Sequence, residues 1–396
     1  MFRALAISIL FTTAAAGADP AVTGHDDTGA CEGDGMRFCR IADGVSLADA
    51  QQHLSDADTA YWIEGDTIAI VARRPAGDEP AMLCCALQET LDLLDDGQIW
   101  GARFAIADLD QAFIDILVFP ALDAADGSGG QQQPLTFRGP NAPPAPPTSS
   151  DLAGTLEDIE LFSDALDMSR TLTIYTPPGE PPADGWPVVY MADGSSVTWL
   201  GRFADALIQR GDIGPVMLVG LWNAPAPPLD LASFSPRTDP RSQEYLWGID
   251  PERFQAYDAF LMDEVIPLTV RDYSATEVRD QRMLFGSSSG AAWAISAGLL
   301  HPAEFGHVTG ASFGWNNAVS TAEASSESPV FYLSAGEFEP TFLNTSRQAI
   351  ETLTSAGAEA HLQSFVSGHS PLAFALQFET GLKAAFPADP GPVPER

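Results

Sequence analysis

The segment Met283-Leu284-Phe285-Gly286-Ser287-Ser288-Ser289-Gly290-Ala291-Ala292-Trp293-Ala294-Ile295 passes from three apolar residues, through a turn of glycine and serine, into an apolar helical run. Its centre fits G-x-S-x-G, in which the glycines let the chain turn sharply from strand to helix and lift the middle serine above a sheet. A helix N-terminus behind that serine favours developing negative charge. The pattern is short enough to arise by chance, and Gly310-Ala311-Ser312-Phe313-Gly314 fits it too. That second match runs into Trp315-Asn316-Asn317, which is no helix start, so Ser288 is the candidate nucleophile.

Around this turn, strand-like and helix-like stretches alternate. Val188–Met191 and Val216–Leu221 are short apolar runs, and Phe254, Tyr257, Leu261, Val265 and Leu268 recur at helical spacing. Strands are expected near 308–312, 330–334 and 362–366, and helices over 291–300 and 345–355. Such alternation predicts an α/β fold with a parallel, doubly wound sheet whose ligands sit at the carboxyl ends of the strands.

A serine hydroxyl needs a base to take its proton and an acid to orient that base. In this class of sheet the chain order is serine, acid, histidine. His301, His307 and His361 flank or open regular elements, whereas His369, in Gly368-His369-Ser370-Pro371, lies just past the last expected strand and is the candidate base. The acid belongs after the strand near 330–334, where Glu337 and Glu339 are both placed for it. The oxyanion of acyl transfer needs backbone N–H donors, one of them from Ser289, which follows the nucleophile. A second is expected from the loop after Val188–Met191, which reads Ala192-Asp193-Gly194-Ser195.

Upstream, short apolar runs alternate with turns such as Glu64-Gly65-Asp66 and Asp95-Asp96-Gly97, without a helical period, which predicts a small β-sandwich over 19–120. Residues 121–150, rich in Gly, Pro, Ser and Gln, read as a linker, and 151–396 as the catalytic domain. Met1-Phe2-Arg3, the apolar run Ala4–Ala16 and Ala16-Gly17-Ala18 have the layout of a signal peptide, residues 1–18. The expectation is an exported protein, periplasmic or extracellular, with no membrane insertion after cleavage. Export favours disulfides, and Cys31 and Cys39, in one glycine-rich stretch, are the pair most easily closed. No His-bearing cysteine cluster suggests a metal site.

Composition removes other classes. The 54 acidic residues against 19 basic ones give a formal net charge of −35, which offers nucleic-acid phosphate no basic surface. Lys383, the only lysine, follows leucine, so the Gly-Lys pair of a phosphate-binding loop is absent. No G-x-G-x-x-G follows a strand, and no histidine precedes glutamate.

Taken together, these residues resemble the enterochelin (ferric enterobactin) esterase family of α/β-hydrolases, close to the esterase D group. The landmarks are Arg138-Gly139-Pro140, Arg170 to Pro177, Met191-Ala192-Asp193-Gly194, Arg241-Ser242-Gln243-Glu244-Tyr245, Asp263 to Pro267, Pro302 to Gly306, Gly336 to Pro340 and Gly368-His369. The resemblance implies an α/β-hydrolase sheet preceded by an immunoglobulin-like β-sandwich. It further implies Ser288, Glu339 and His369 as triad, with Glu337 the alternative acid, and the N–H groups of Ser195 and Ser289 as oxyanion hole. Arg241 and Trp315 fall where substrate contacts belong. No cofactor is implied. The activity implied is hydrolysis of carboxylic esters, with siderophore trilactones among the small-molecule substrates. Acyl transfer, general carboxylesterase action on other esters, and a catalytically silent binding role are the alternatives. In the family the histidine is commonly followed by aspartate, whereas here Ser370 follows.

Overall fold

The computed structural model describes residues 37–74, 81–95, 97–119, 135–225, 235–314 and 324–388. The expected signal peptide, Cys31, Trp315 and residues 121–134 of the expected linker lie outside them.

Among the described residues the N-terminal part holds nine strands: β1 (Phe38–Arg40), β2 (Thr59–Glu64), β3 (Thr67–Arg73), β4 (Met82–Cys85), β5 (Glu89–Thr90), β6 (Asp92–Leu93), β7 (Ile99–Ile106), β8 (Phe113–Phe119) and β9 (Leu135–Arg138). They form two sheets, one ordered β1-β7-β3-β2 with β6 on β7, the other β5-β4-β8-β9. Alternation along β3 sends Ile68, Ile70 and Ala72 toward Leu83, Ile114, Ile116 and Val118 of the second sheet, so the two layers share one core. Ala69 and Val71 point the other way, onto a helix α1 (Leu47–Leu54). That helix escapes a periodicity reading because it buries only Ala50 and Leu54, one turn apart. Its start is set by Ser46, whose hydroxyl accepts the Asp49 N–H at 3.1 Å.

Part of the expected linker is a strand. Leu135–Arg138, inside 121–150, pairs antiparallel with β8, and composition hides this because an edge strand buries little.

The larger sheet comprises β10 (Thr155–Ser163), β11 (Met168–Thr176), β12 (Val188–Met191), β13 (Met217–Leu221), β14 (Arg282–Ser287), β15 (His307–Ala311), β16 (Val330–Gly336) and β17 (Ala360–Phe365). Its order is β10-β11-β13-β12-β14-β15-β16-β17, antiparallel at β10, β11 and β13 and parallel from β13 onward. Crossover helices cover both faces: α2 (Val197–Arg210), α3 (Pro240–Tyr245), α4 (Pro251–Ala259), α5 (Ile266–Tyr273), α6 (Ser289–Leu300), α7 (Pro340–Ser355) and α8 (Pro371–Ala385). This is the arrangement of an α/β-hydrolase-like sheet.

Strand alternation divides the core. Val189, Met191, Met283 and Phe285 meet α2 and α8 through Leu200, Leu207, Phe378 and Leu382. Val188, Tyr190 and Leu284 meet α4 to α7 on the opposite face, around the fully buried Trp293. Each such apolar side chain contributes about 1.5–3 kcal/mol by leaving water. The expected helix through Phe254 and Leu268 is broken by a π-helical turn over Phe260–Val265. Among the described residues no helix is long and apolar enough to cross a membrane.

Candidate active site

Ser288 caps α6 directly after β14 and holds φ 56° and ψ −125°, a left-handed conformation that costs a non-glycine residue about 1–3 kcal/mol. Its N–H reaches Ala311 O at 2.8 Å and its carbonyl accepts from Ala291 N–H at 3.1 Å, which fixes the turn from both sides. The flanking glycines are sterically required. A Cβ on Gly286 would stand 2.1 Å from the Gly290 carbonyl oxygen, and one on Gly290 would stand 2.8 Å from the Ala192 Cβ. The glycine pattern is thus explained by backbone contact across the turn.

Parallel register carries the chain from this turn to the other candidates. Ser287 pairs with Ala311, and Ala311 with Ser334, two residues before β16 ends at Gly336. Glu339, three residues on, is buried and lies with Oε2 2.8 Å from His369 Nδ1. Its Oε1 accepts the Gly336 N–H at 2.7 Å and the hydroxyl of Ser312. Ser312, the centre of the second G-x-S-x-G, is therefore a partner of the carboxylate, an assignment invisible in the pattern itself. The imidazole of His369 lies between the rings of Phe342 and Phe374, with centroids 4.8 Å and 5.0 Å away.

Glu337 goes elsewhere. Its carboxylate meets Arg37 Nε at 2.6 Å and Ser364 Oγ at 3.1 Å, toward the N-terminal sheets. Between the two acids, Phe338 enters the N-terminal core against Phe38, their centroids 5.6 Å apart. Neighbouring residues of an extended segment point to opposite sides, so Glu337 and Glu339, although both flank Phe338, part company only through the turn at Gly336.

The loop after β12 approaches the turn at Ser288. Ala192 N–H binds Phe285 O at 3.0 Å, Asp193 is left-handed at φ 53°, and Gly194–Ser196 form one 3₁₀ turn before α2. A Cβ on Gly194 would lie 2.4 Å from the Trp222 ring. Ser195 in that turn and Ser289 at the first position of α6 are where backbone N–H groups lack intrahelical partners.

Arg241, expected at the substrate, forks onto Asp193, with Nε to Oδ1 at 2.6 Å and Nη2 to Oδ2 at 2.7 Å. Nη2 also reaches Ser287 O at 3.4 Å. Burial opposes the guanidinium charge, yet the Asp193 carboxylate outweighs it and holds Arg241 above its ordinary range. Tyr245 lies beneath, its hydroxyl accepting the Asp193 N–H at 2.8 Å, and burial pushes that phenol well up. Asp193 was legible as part of a turn but not as an ion-pair partner. The expected partner of Cys39, Cys31, lies outside the described residues; Cys39 and Cys84 are both disulfide-bonded.

The Esterase family model matches residues 163–385. Among solved structures, the enterobactin esterase of Shigella flexneri is similar with a TM-score of 0.60 at 17% identity, covering 86% of this chain and 98% of that one. The ferric enterobactin esterase of Salmonella typhimurium is similar with a TM-score of 0.60 at 15% identity, over 83% of this chain and 96% of that one. At such identity the likeness is one of fold. An uncharacterized protein of Bacillus subtilis, YjcH, is 24% identical over 158 residues, which span 39% of this chain and 60% of that protein's length.

Proposed function

The chain belongs to the Esterase family, its residues 163–385 forming an esterase domain, and on that premise we propose that it is a serine carboxylic ester hydrolase with Ser288, His369 and Glu339 as its triad. One observation carries the proposal: a serine held in a strained turn at a helix N-terminus shares the carboxyl edge of a parallel sheet with a histidine–carboxylate pair.

Glu339 Oε2 accepts a hydrogen bond from His369 Nδ1–H, which leaves Nε2 as the basic nitrogen. His369 takes the Ser288 proton as Oγ attacks the ester carbonyl, and the resulting oxyanion is received by the N–H groups of Ser195 and Ser289. Collapse expels the alcohol, protonated by His369, and leaves an acyl-serine. Water, deprotonated by His369, then releases the acid and restores the hydroxyl. No cofactor enters these steps.

The fold likeness to enterobactin esterases brings a siderophore trilactone forward as one substrate. A net charge of −35 opposes long-range recruitment of an anionic ferric chelate, so an uncharged ester or an iron-free trilactone is the better substrate. The signal-like N-terminus and the disulfide-bonded Cys39 and Cys84 support export to the periplasm or beyond. The division into a signal peptide, an immunoglobulin-like sandwich and a catalytic domain belongs to the same proposal.

A fluorophosphonate probe tests the chemistry. Labelling at Ser288 in folded protein, abolished in Ser288→Ala together with ester hydrolysis, is expected; undiminished turnover in Ser288→Ala would overturn the assignment. An ester panel with acceptor alcohols present and absent separates hydrolysis from acyl transfer, and no turnover of any ester would favour a silent binding role.

A further inference from the structure

We propose that Asp115, a carboxylate of the N-terminal sheets, is a positioning residue for the histidine loop, so that the N-terminal part completes the active site. The inference rests on His369 being the base. Asp115 lies on β8, is only 6% exposed, and sits 255 positions from the residue it binds. Its Oδ1 accepts from Thr136 Oγ1 of β9 at 2.7 Å. Its Oδ2 accepts the hydroxyl of Ser370, the residue directly after His369, and faces Leu372 N–H at 3.5 Å.

Ser370 is also the cap of α8, its Oγ accepting the Leu372 N–H at 3.2 Å. One hydroxyl thus binds the helix start and the carboxylate together, and the peptide that orients the imidazole is held between them. A negative charge opposite a helix N-terminus is in addition favoured by the helix dipole. The carboxylate that meets the residue after His369 thus comes from another part of the chain.

Independent contacts converge on the same loop. Phe113 N–H, two residues before Asp115, binds Val366 O at 3.1 Å. Phe113 also meets Phe365 edge to face at 5.9 Å. Gly368 lies so close to the N-terminal part that a Cβ there would stand 1.6 Å from Ala86 O, which excludes any side chain at position 368. Of the residues flanking His369, Ser370 is therefore hydrogen-bonded to the N-terminal part and Gly368 packs against it, while the imidazole itself is left to Glu339 and the flanking phenylalanines.

A group that only stabilises the fold would lower the melting temperature without changing turnover per folded molecule. A positioning group acts on kcat, because misplacing a base by a fraction of an ångström slows proton transfer more than it weakens binding. Full-length Asp115→Ala and Ser370→Ala are expected to lower kcat by about 10- to 100-fold with KM changed by less than about threefold. The double variant should be no slower than about the slower single one, since the Ser370–Asp115 hydrogen bond through which both act is already lost in either. Asp115→Asn, which retains an acceptor oxygen, should recover part of the loss.

Wild-type kcat in Ser370→Ala, or losses that multiply in the double variant, would overturn the proposal. Ser370→Ala removes a single oxygen and keeps the test open if Asp115→Ala does not fold. His369→Ala, assayed alongside, separates the two ideas: activity retained there defeats the base assignment, whereas inactivity there with wild-type kcat in Asp115→Ala and Ser370→Ala defeats only this inference.

Discussion

Ser312 donates its hydroxyl hydrogen to Oε1 of Glu339, the carboxylate whose other oxygen stands 2.8 Å from His369 Nδ1. Ser312 is buried and left-handed, with its N–H bound to Ser334 O at 2.7 Å, so its side chain is aimed by the backbone. Ser312→Ala leaves Oε1 with the Gly336 N–H alone. The expected result is a fall in kcat of about 3- to 10-fold, the scale of the net contribution of one hydrogen bond, with KM nearly unchanged. Steady-state kinetics on an activated ester measures it, and an unchanged kcat would show that the backbone donor suffices.

The two glutamates around Phe338 should separate cleanly. Glu339→Gln removes the charge that stabilises the imidazolium and should lower kcat by about 100- to 10,000-fold. Glu337→Gln touches only the partly exposed ion pair with Arg37 and a serine, so kcat should stay within about twofold and stability fall by less than about 1 kcal/mol. Equal losses in both variants would contradict the assignment.

Arg241 is expected to act through Asp193. Arg241→Ala releases Asp193 and the loop proposed to carry the Ser195 donor, and for a neutral ester the loss should fall on kcat, by about 10-fold. Arg241→Lys supplies the charge without the fork and should recover little of it. A loss confined to KM, and only for anionic esters, would identify a substrate contact.

Asp205 predicts the acid limit of stability. Buried on α2, it accepts from Ser149 Oγ at 2.7 Å, Tyr175 Oη at 2.8 Å and the N–H groups of Ala153 and Gly154, both at 3.0 Å. Burial alone would raise this carboxyl, but the hydrogen bonds outweigh it and hold it below its ordinary value. A depressed carboxyl stabilises the fold fully above its unfolded value, near about 3.9, and loses that contribution as pH falls through the folded one. Asp205→Ala should therefore cost more than about 2 kcal/mol at neutral pH, because several donors lose their acceptor. It should also flatten the fall of melting temperature with pH below about 4. A steeper acid dependence in the variant would refute the sign.

Local pattern made the centre of the candidate site legible. The turn at Ser288 and the parallel strands on either side of it announce themselves through glycines and short apolar runs, and His369 through its place after the last strand. What stayed hidden acts over long separations. Asp193 with Arg241, Ser312 with Glu339, and Asp115 with Ser370 are 48, 27 and 255 positions apart, and no periodicity reports such a contact. The helix over Leu47–Leu54 and the strand over Leu135–Arg138 were hidden for another reason, since each presents too few buried residues to leave a repeat.

The seating of Phe338 and Gly368 against the N-terminal sheets has a temporal consequence. A chain made from its N-terminus forms Ala86, Phe113 and Asp115 long before the residues they hold, so the receptor for the histidine loop stands ready while the loop does not yet exist. Glu339 and His369 are brought together only when the last strand and helix dock. A protein so built is latent throughout its synthesis, and hydrolysis is the final property it acquires.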